Sequence, residues 1–432
     1  MKERKIERSS EFFHSIHRDG NSLIRVVEIC GKQFVSQVTS QVNGGDPVGD
    51  WWKSILLGAT PEFVSGEPAH SSLVLVDLFC GSGGFSTGFR MAAGALGMDV
   101  SVALAVDTDK SALDVYKRNH DPQNISTRSV ADLVDCQLIS EANSWKFYYP
   151  PELVDDELKN LKGKVDIVIG GPPCQGHSSL NNHTRRDDGR NALYPLAVSL
   201  AIALDCQAMV IENVQAVLHD VHQSVPKSCD LLHSKGWSVD DQVMKAQELG
   251  WPQTRKRHFL TANKVNTLVN LNDIRKQFLS QVRPLSWAID DLEQIDSDAL
   301  IDAHSNLSPA NIERVEFLFD NDLYELPNAV RPLKHQDGHT YPSSYGRLKW
   351  DEPAGTITTG FMTPGRGRFI HPRQRRPITA HEAARLQGFP DSYEFELDLV
   401  PPSKTALSKW IGDAVPIPLG YAVAFGVLAG FC

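Results

Sequence analysis

The sequence predicts an α/β fold, a mostly parallel sheet with helices on both faces. Three observations carry that expectation. Short β-branched, apolar runs recur at 73–79, 102–106, 165–169 and 208–211, and continuous runs of this length read as strands buried on both faces. Stretches with helical character stand between them, the alternation that builds a parallel sheet. Residues able to do chemistry stand at the carboxyl ends of those runs, the edge where ligands bind in open α/β sheets.

In chain order, residues 1–70 carry no chemical motif. Short apolar runs between Leu23 and Val38 predict strands around a Gly31-Lys32 turn, and the segment reads as an N-terminal extension. The run 73–79 leads into Cys80-Gly81-Ser82-Gly83-Gly84-Phe85, with a helix expected from Ser86 to about Leu96. Strand, glycine turn, helix is the layout of a nucleotide-type cofactor site: glycines admit a ligand to the backbone, and the helix start offers amide donors. Asp107 closes the next strand, at an interval where a carboxylate holds ribose hydroxyls in such folds. Asp109 suits the N-cap of a helix over 110–119 better than Asp107 does.

The run 165–169 leads into Gly170-Gly171-Pro172-Pro173-Cys174-Gln175-Gly176-His177-Ser178. Two glycines and two prolines end the strand in a sharp turn, which sets Cys174 at its carboxyl end. A free cysteine is usually a small buried hydrophobe. This one stands in a polar loop beside Gln175, His177 and Ser178, where a thiolate can be stabilised and reached. Residues 179–190 read as a mobile loop, and Arg190-Asn191-Ala192-Leu193 opens a helix. The run 208–211 ends in Glu212-Asn213-Val214, a carboxylate on the same sheet edge as Cys174. Gln253-Thr254-Arg255-Lys256-Arg257 precedes a strand at 258–262, and alternation puts Arg255 and Arg257 on one side of an extended chain.

From Lys264 to Ser344 the motifs stop. Ser308-Pro309 predicts a helix start, to about Phe319. Charge is segregated: 286–327 holds eleven acidic residues and one basic, Arg314, whereas 331–376 holds nine Lys/Arg and three Asp/Glu. Arginines 366, 368, 373, 375 and 376 stand among glycines and prolines, a loop able to approach phosphates and read guanine edges. Thr379-Ala380-His381-Glu382 is a capping box opening a helix over 380–387, stopped by Gly388 and Pro390. The chain ends with Ile411-Gly412-Asp413-Ala414-Val415-Pro416 and an apolar helix from about Leu419.

Five of these motifs, in this order, resemble the cytosine-5 DNA methyltransferases: Asp77-Leu78-Phe79-Cys80-Gly81-Ser82-Gly83-Gly84-Phe85, Pro172-Pro173-Cys174-Gln175, Glu212-Asn213-Val214, Gln253-x-Arg255-x-Arg257, and 378–391. The resemblance covers roughly 73–262 and 345–425. It implies a Rossmann-like methyltransferase sheet in a catalytic domain at 71–262, a smaller target-recognition domain at 263–376, and a C-terminal segment at 377–432 returning to the catalytic domain. S-adenosylmethionine is the implied cofactor and double-stranded DNA the implied partner. Phe79 would pack on the cofactor, Gly81, Gly83 and Gly84 pass its methionine end, and Asp107 hold its ribose. Asp132 would lie near the adenine and Leu193 would touch the cofactor. Cys174 would be the nucleophile at carbon 6 of a flipped cytosine, under a loop at 176–190 that closes over DNA. Glu212 would donate a proton toward nitrogen 3, Arg257 hold the carbonyl at position 2, and Arg255 support the loop or the phosphates. Asp413 stands where the family usually has Asn, near cofactor and catalytic loop.

Composition is compatible with this. With 41% hydrophobic and 22% charged residues in 432, the chain is an ordinary globular sequence long enough for two or three domains. No apolar run reaches the roughly 18 residues of a membrane helix, and the start has no apolar core like that of a signal peptide. Seven scattered cysteines without a Cys-x-x-Cys pair argue against a disulfide framework or zinc site, so no metal and a reducing cytoplasm are expected. A net charge of −10 does not by itself suggest nucleic acid; the basic segment does. The tRNA-methylating branch of the family lacks a sizeable recognition insert and carries a Cys-Phe-Thr signature not found here. An amino-methyltransferase would need Asp/Asn-Pro-Pro-Tyr/Phe. A non-catalytic relative is disfavoured because Cys174, Glu212 and Arg257 are all present. The expectation is a DNA methyltransferase of a restriction–modification system, with a cognate endonuclease, or one acting alone, and a monomer.

Overall fold

A computed structural model describes residues 12–141, 144–173, 189–264, 269–295, 297–336, 343–397 and 401–432. Among them the central sheet has seven strands, in the order Ser238–Lys245, Lys256–Asn263, Ala208–Val214, Ile167–Gly170, Ser72–Leu78, Asp99–Val106, Ile125–Ser126. Pairing is parallel from Ala208–Val214 across to Ile125–Ser126. Lys256–Asn263 runs antiparallel to both its neighbours. This is the mostly parallel sheet that the sequence predicts, with one strand reversed. The reversal has a consequence: the start of Lys256–Asn263 reaches the edge where the others end, with Arg257 opposite Val214.

Both faces of the sheet are buried because side chains alternate along each strand. Leu75, Ile167, Ile169 and Val210 join one apolar cluster, with Phe85, Phe89, Leu419 and Phe425. Val76, Leu78, Val168, Met209 and Ile211 join another, with Val198, Leu200 and Leu231. The helices Gly84–Ala95 and Ile417–Leu428 pack closely on the first face. A Cβ on Gly88 would stand 2.5 Å from the Ile417 carbonyl and 2.7 Å from the Tyr421 amide, so only glycine permits that approach. Together Lys404–Asp413 and Ile417–Leu428 make the stretch 404–431, long and apolar enough to cross a membrane, which no uninterrupted apolar run in the sequence foreshadows. It is a core element: 94% of its most apolar window is buried.

The N-terminal extension is an antiparallel sheet, Phe13–Asp19, Ser22–Ile29, Lys32–Thr39 and Glu62–Ser65, with the helix Pro47–Leu56. Its turn falls at Cys30-Gly31, both at positive φ, one residue earlier than expected. The extension is fused to the body. Leu23, Val27, Phe34 and Trp51 share the apolar cluster of Phe425. Arg25, buried, donates to Ser36 Oγ and Tyr421 Oη at 2.9 Å each, and its guanidinium lies 4.8 Å from the Trp51 ring centre.

Residues within 263–376 contribute to more than one apolar cluster. Leu271 and Ile274 of the helix Leu271–Gln277 belong to the main core. Val315, Leu318, Leu326, Tyr345 and Ile370 make a small core of their own around the helix Pro309–Asp320. Ser308 stands at that helix's N-cap, though its side chain makes no cap hydrogen bond. Asp109 and Thr379 do cap theirs. Asp109 accepts from the Ser111 and Ala112 amides, and Thr379 with Glu382 forms the reciprocal capping box.

Candidate active site

A cleft of about 1990 Å³ opens along the carboxyl edge of the sheet. Its walls come from the strand ends at 77–82, 107–108, 171–173 and 212–216, from the entry to the reversed strand at 254–257, and from 352–369 and 404–415. Cys174 and the loop 176–190 lie outside the described residues, apart from the backbone of 189–190. The three residues before Cys174, Gly171 to Pro173, line the cleft.

Glu212 is buried at the end of Ala208–Val214. Its Oε1 lies 2.7 Å from Arg257 Nε, and a Cβ on Gly171 would stand 3.7 Å from its Oε2. Burial raises the Glu212 pKa, against the pull of Arg257 and then Arg255. The carboxyl is thus biased toward its protonated form while one oxygen stays fixed by a guanidinium. Asn213, next in the chain, donates to the Pro172 carbonyl at 3.3 Å and accepts from the Val214 amide at 2.8 Å. That tie joins the Glu212 strand to the turn leading to Cys174, a role that sequence reasoning did not assign to Asn213.

Arg255 lines the cleft but is buried. Its Nη1 donates to the carbonyls of Ile357 at 2.6 Å and Gly412 at 3.3 Å, and its Nη2 to that of Ala414 at 3.2 Å. The sequence reading offered loop support or phosphates. Among the described residues the guanidinium ties three carbonyls of the cleft wall together, which favours the first.

At the other end of the cleft, Ser72–Leu78 ends in Phe79 at φ 57°. A bulky residue in the left-handed region costs roughly 1–2 kcal/mol, and such strain clusters at ligand sites. Gly81, at φ 53°, would have nothing within 4 Å of an added Cβ, so the backbone there is open to a ligand. Gly83 and Gly84 do other work. An added Cβ would meet His120 at 2.3 Å and the Val415 carbonyl at 2.7 Å, respectively. They let the turn pack down and are not among the cleft-lining residues. Asp107 lines the cleft while accepting from the Gly81 amide and the Asp109 amide, both at 2.8 Å, and so fixes the turn. Asp77 also lines the cleft, accepting from Ser86 Oγ at 2.7 Å, with Tyr116 Oη 2.7 Å from the same hydroxyl. Burial pushes its pKa up to about 7. Sequence reasoning placed Asp77 in a motif but gave it no role; the signal was a carboxylate inside an apolar run.

Asp413 lines the cleft, with Lys409 Nζ 3.6 Å away and the same ammonium 3.1 Å from Asp109. A lysine one helical turn earlier gives this aspartate a countercharge. Asp132 is exposed and Leu193 half-buried; neither is among the cleft-lining residues. The structure thus gathers Phe79, Gly81, Asp107, Glu212, Arg255, Arg257 and Asp413 around one cleft.

Comparison with known proteins adds the following. Residues 73–427 match the family described as C-5 cytosine-specific DNA methylase. The chain is 40% identical over 360 residues to the type II methyltransferase M1.BsuMI of Bacillus subtilis, covering 83% of this chain and 81% of that one. It is 27% identical to the type II methyltransferase M1.HphI of Haemophilus parahaemolyticus, over 83% and 87% of the two chains. Among solved structures, a putative DNA modification methyltransferase from an Escherichia coli prophage superposes with a TM-score of 0.53 at 23% identity, covering 82% of this chain and 98% of that one. The Dnmt2 methyltransferase of S. pombe gives 0.53 at 16% identity over 82% and 97%, a likeness of fold.

Proposed function

The chain belongs to the C-5 cytosine-specific DNA methylase family, and on that footing we propose how its own residues carry out the reaction. The activity is methylation of cytosine carbon 5 in DNA, with S-adenosylmethionine as cofactor. The cleft suits that cofactor. Gly81 leaves its backbone uncovered, the strained Phe79 presents a ring, and Asp77 and Asp107 place carboxyl groups where a cationic ligand gains from them. Phe79, Gly81 and Asp107 would hold it, with Asp413 lining the same cleft; Asp132 and Leu193 belong to the proposal on resemblance alone. When bound, the cofactor supplies an electrophilic methyl group.

Carbon 5 of cytosine is a poor nucleophile until a thiolate adds at carbon 6. Cys174 supplies that thiolate: its sulfur bonds to carbon 6 and the ring becomes an enamine, nucleophilic at carbon 5. Negative charge builds toward nitrogen 3, where Glu212 donates its proton, while its other oxygen accepts from the exocyclic amine. Arg257 fixes the Glu212 carboxyl and donates to the carbonyl at position 2. After carbon 5 is methylated, water accepts its proton, the freed electron pair re-forms the ring double bond and expels the Cys174 thiolate from carbon 6, and nitrogen 3 returns its proton to Glu212. Arg255 is a positioning residue. The base must leave the duplex to reach the cleft, at a cost of a few kcal/mol, offset by loop 176–190 and by the recognition region within 263–376. The same proposal holds that the protein reads a specific duplex site as a monomer in the cytoplasm. It serves a restriction–modification system with a cognate endonuclease, or acts alone.

The observation that carries this reading is the buried Glu212 held by Arg257 beside the turn that leads to Cys174. The test is incubation with methyl-labelled S-adenosylmethionine and either duplex DNA or tRNA, followed by nucleoside analysis. The expected product is 5-methylcytosine in DNA. Label in tRNA and in no DNA would overturn it.

A further inference from the structure

The charge segregation seen in the sequence is resolved by pairing across the recognition region. Arg347 bonds Asp322, Arg368 bonds Glu325, Arg373 bonds Glu293 and Arg375 bonds Asp320. Each pair joins the basic segment to the acidic one. Two of these arginines are built differently from ordinary surface cations. Arg347 Nε donates to the Pro372 carbonyl at 2.8 Å, and its guanidinium lies 4.2 Å from the Phe319 ring centre and 4.8 Å from that of Tyr324. Arg368 Nη1 donates to the carbonyls of Tyr324 at 2.9 Å and Arg347 at 3.0 Å, and Arg368 also lines the catalytic cleft.

The two guanidiniums are thus held from behind, with side chains 11% and 26% exposed. Their carboxylate partners are held by little: Asp322 is 87% exposed and Glu325 65%. Exposed pairs of this kind stabilise by only ~0–1 kcal/mol each. An anion arriving from outside can therefore replace either carboxylate while the arginine stays in place.

We propose that Arg347 and Arg368 are a preformed clamp for backbone phosphates of the duplex, and that Asp322 and Glu325 act as internal stand-ins for those phosphates until DNA binds. The inference rests on the function proposed above and deepens it. The occupant is a phosphodiester, because the clamp offers fixed cationic donors, one of which, Arg368, lines the cleft that takes a base from DNA. The stand-ins lower affinity for any duplex, and so weaken attachment to sequences that offer no further contacts. They also mute the salt response. A displaced carboxylate regains a cation as the phosphate loses one, so fewer counterions are released.

The test uses the full chain, a fluorescent duplex oligonucleotide and anisotropy titrations across a range of KCl concentrations. Asp322→Asn with Glu325→Gln should bind the duplex roughly three- to tenfold more tightly at about 0.1 M salt, with a slope of log affinity against log salt steeper by about one to two units. Arg347→Gln with Arg368→Gln should bind more weakly with a shallower slope. Glu28→Gln with Glu62→Gln makes the same charge change on the exposed side of the N-terminal sheet and should leave the slope unaltered. If the Asn/Gln pair at 322 and 325 binds no more tightly and with the same slope as the unaltered chain, or if the control pair shifts the slope equally, the clamp is refuted, even if the arginine variants fail to fold. Such a result would leave the function proposed above intact, provided the unaltered chain methylates DNA. A chain that neither binds duplex nor methylates it overturns both.

Discussion

At the scale of single residues, the cleft divides two arginines of one motif into different tasks. Arg257 meets Glu212, whereas Arg255 meets three carbonyls. Arg255→Ala should therefore destabilise the protein by roughly 2–4 kcal/mol, since it strands buried acceptors, and thermal unfolding would register the loss. Glu212→Gln should lower methyl transfer to DNA by about 10²–10⁴-fold, with duplex binding nearly unchanged, as labelled transfer and anisotropy would show. The sign of the pH effect follows from the burial-raised carboxyl of Glu212. A proton donor works below its pKa, so turnover should fall as pH rises through it, and the Gln variant should lose that limb of the profile. The pairing of Glu212 with the Cys174 turn was legible from Glu-Asn-Val and Pro-Pro-Cys-Gln. The carbonyl role of Arg255 was not, because its partners lie 102, 157 and 159 positions away along the chain.

At the scale of elements, the sequence reads best where local rules decide. β-branched runs marked the parallel strands, and Asp109 and Thr379 marked helix starts that their side chains do cap. Ser308 met the same local rule, yet its hydroxyl makes no cap bond, so position alone did not secure the contact. Thr379→Ala should cost about 1 kcal/mol, read as a lowered unfolding midpoint. The contact between helices Gly84–Ala95 and Ile417–Leu428 is long-range and was not legible. It depends on Gly84 and Gly88, where an added Cβ would meet backbone at 2.7 Å and 2.5 Å. Gly88→Ala should lose roughly 1–3 kcal/mol by forcing the helices apart. Gly81→Ala, with open space around it, should leave packing alone; its penalty is backbone strain, and its effect should fall on cofactor affinity measured by calorimetry.

At the scale of the whole molecule, the reversed strand Lys256–Asn263 explains why a site assembled from distant motifs is compact. It and the residues leading into it carry Arg257 and Arg255 to the edge where the parallel strands leave Asp107 and Glu212. The fusion of the N-terminal sheet to this body, through Arg25 and Tyr421, could not be read from a segment with no motif. Global stability should depend on pH from both sides. Burial lowers the pKa of His120 to about 3 and of His371 to about 4. The unfolded chain takes up these protons near pH 6.5, so each group removes up to ~1.4 kcal/mol per pH unit as pH falls below that value. His381, held between Asp302 at 2.8 Å and Asp391 at 2.9 Å, has a raised pKa despite its burial. Its contribution is complete at pH below about 6.5 and is lost as pH rises through the folded value. Thermal scans from pH 5 to 9 should show both flanks, with His381→Gln flattening the alkaline one. The reading as a whole depends on sulfur chemistry at one position. It is tested most directly with a duplex bearing 5-fluorocytosine in the recognised site, incubated with the protein and S-adenosylmethionine. Because fluorine cannot leave as the carbon 5 proton does, the predicted result is a stable protein–DNA adduct mapped by mass spectrometry to Cys174 and absent from Cys174→Ser. DNA methylated by a protein that forms no such adduct would contradict it.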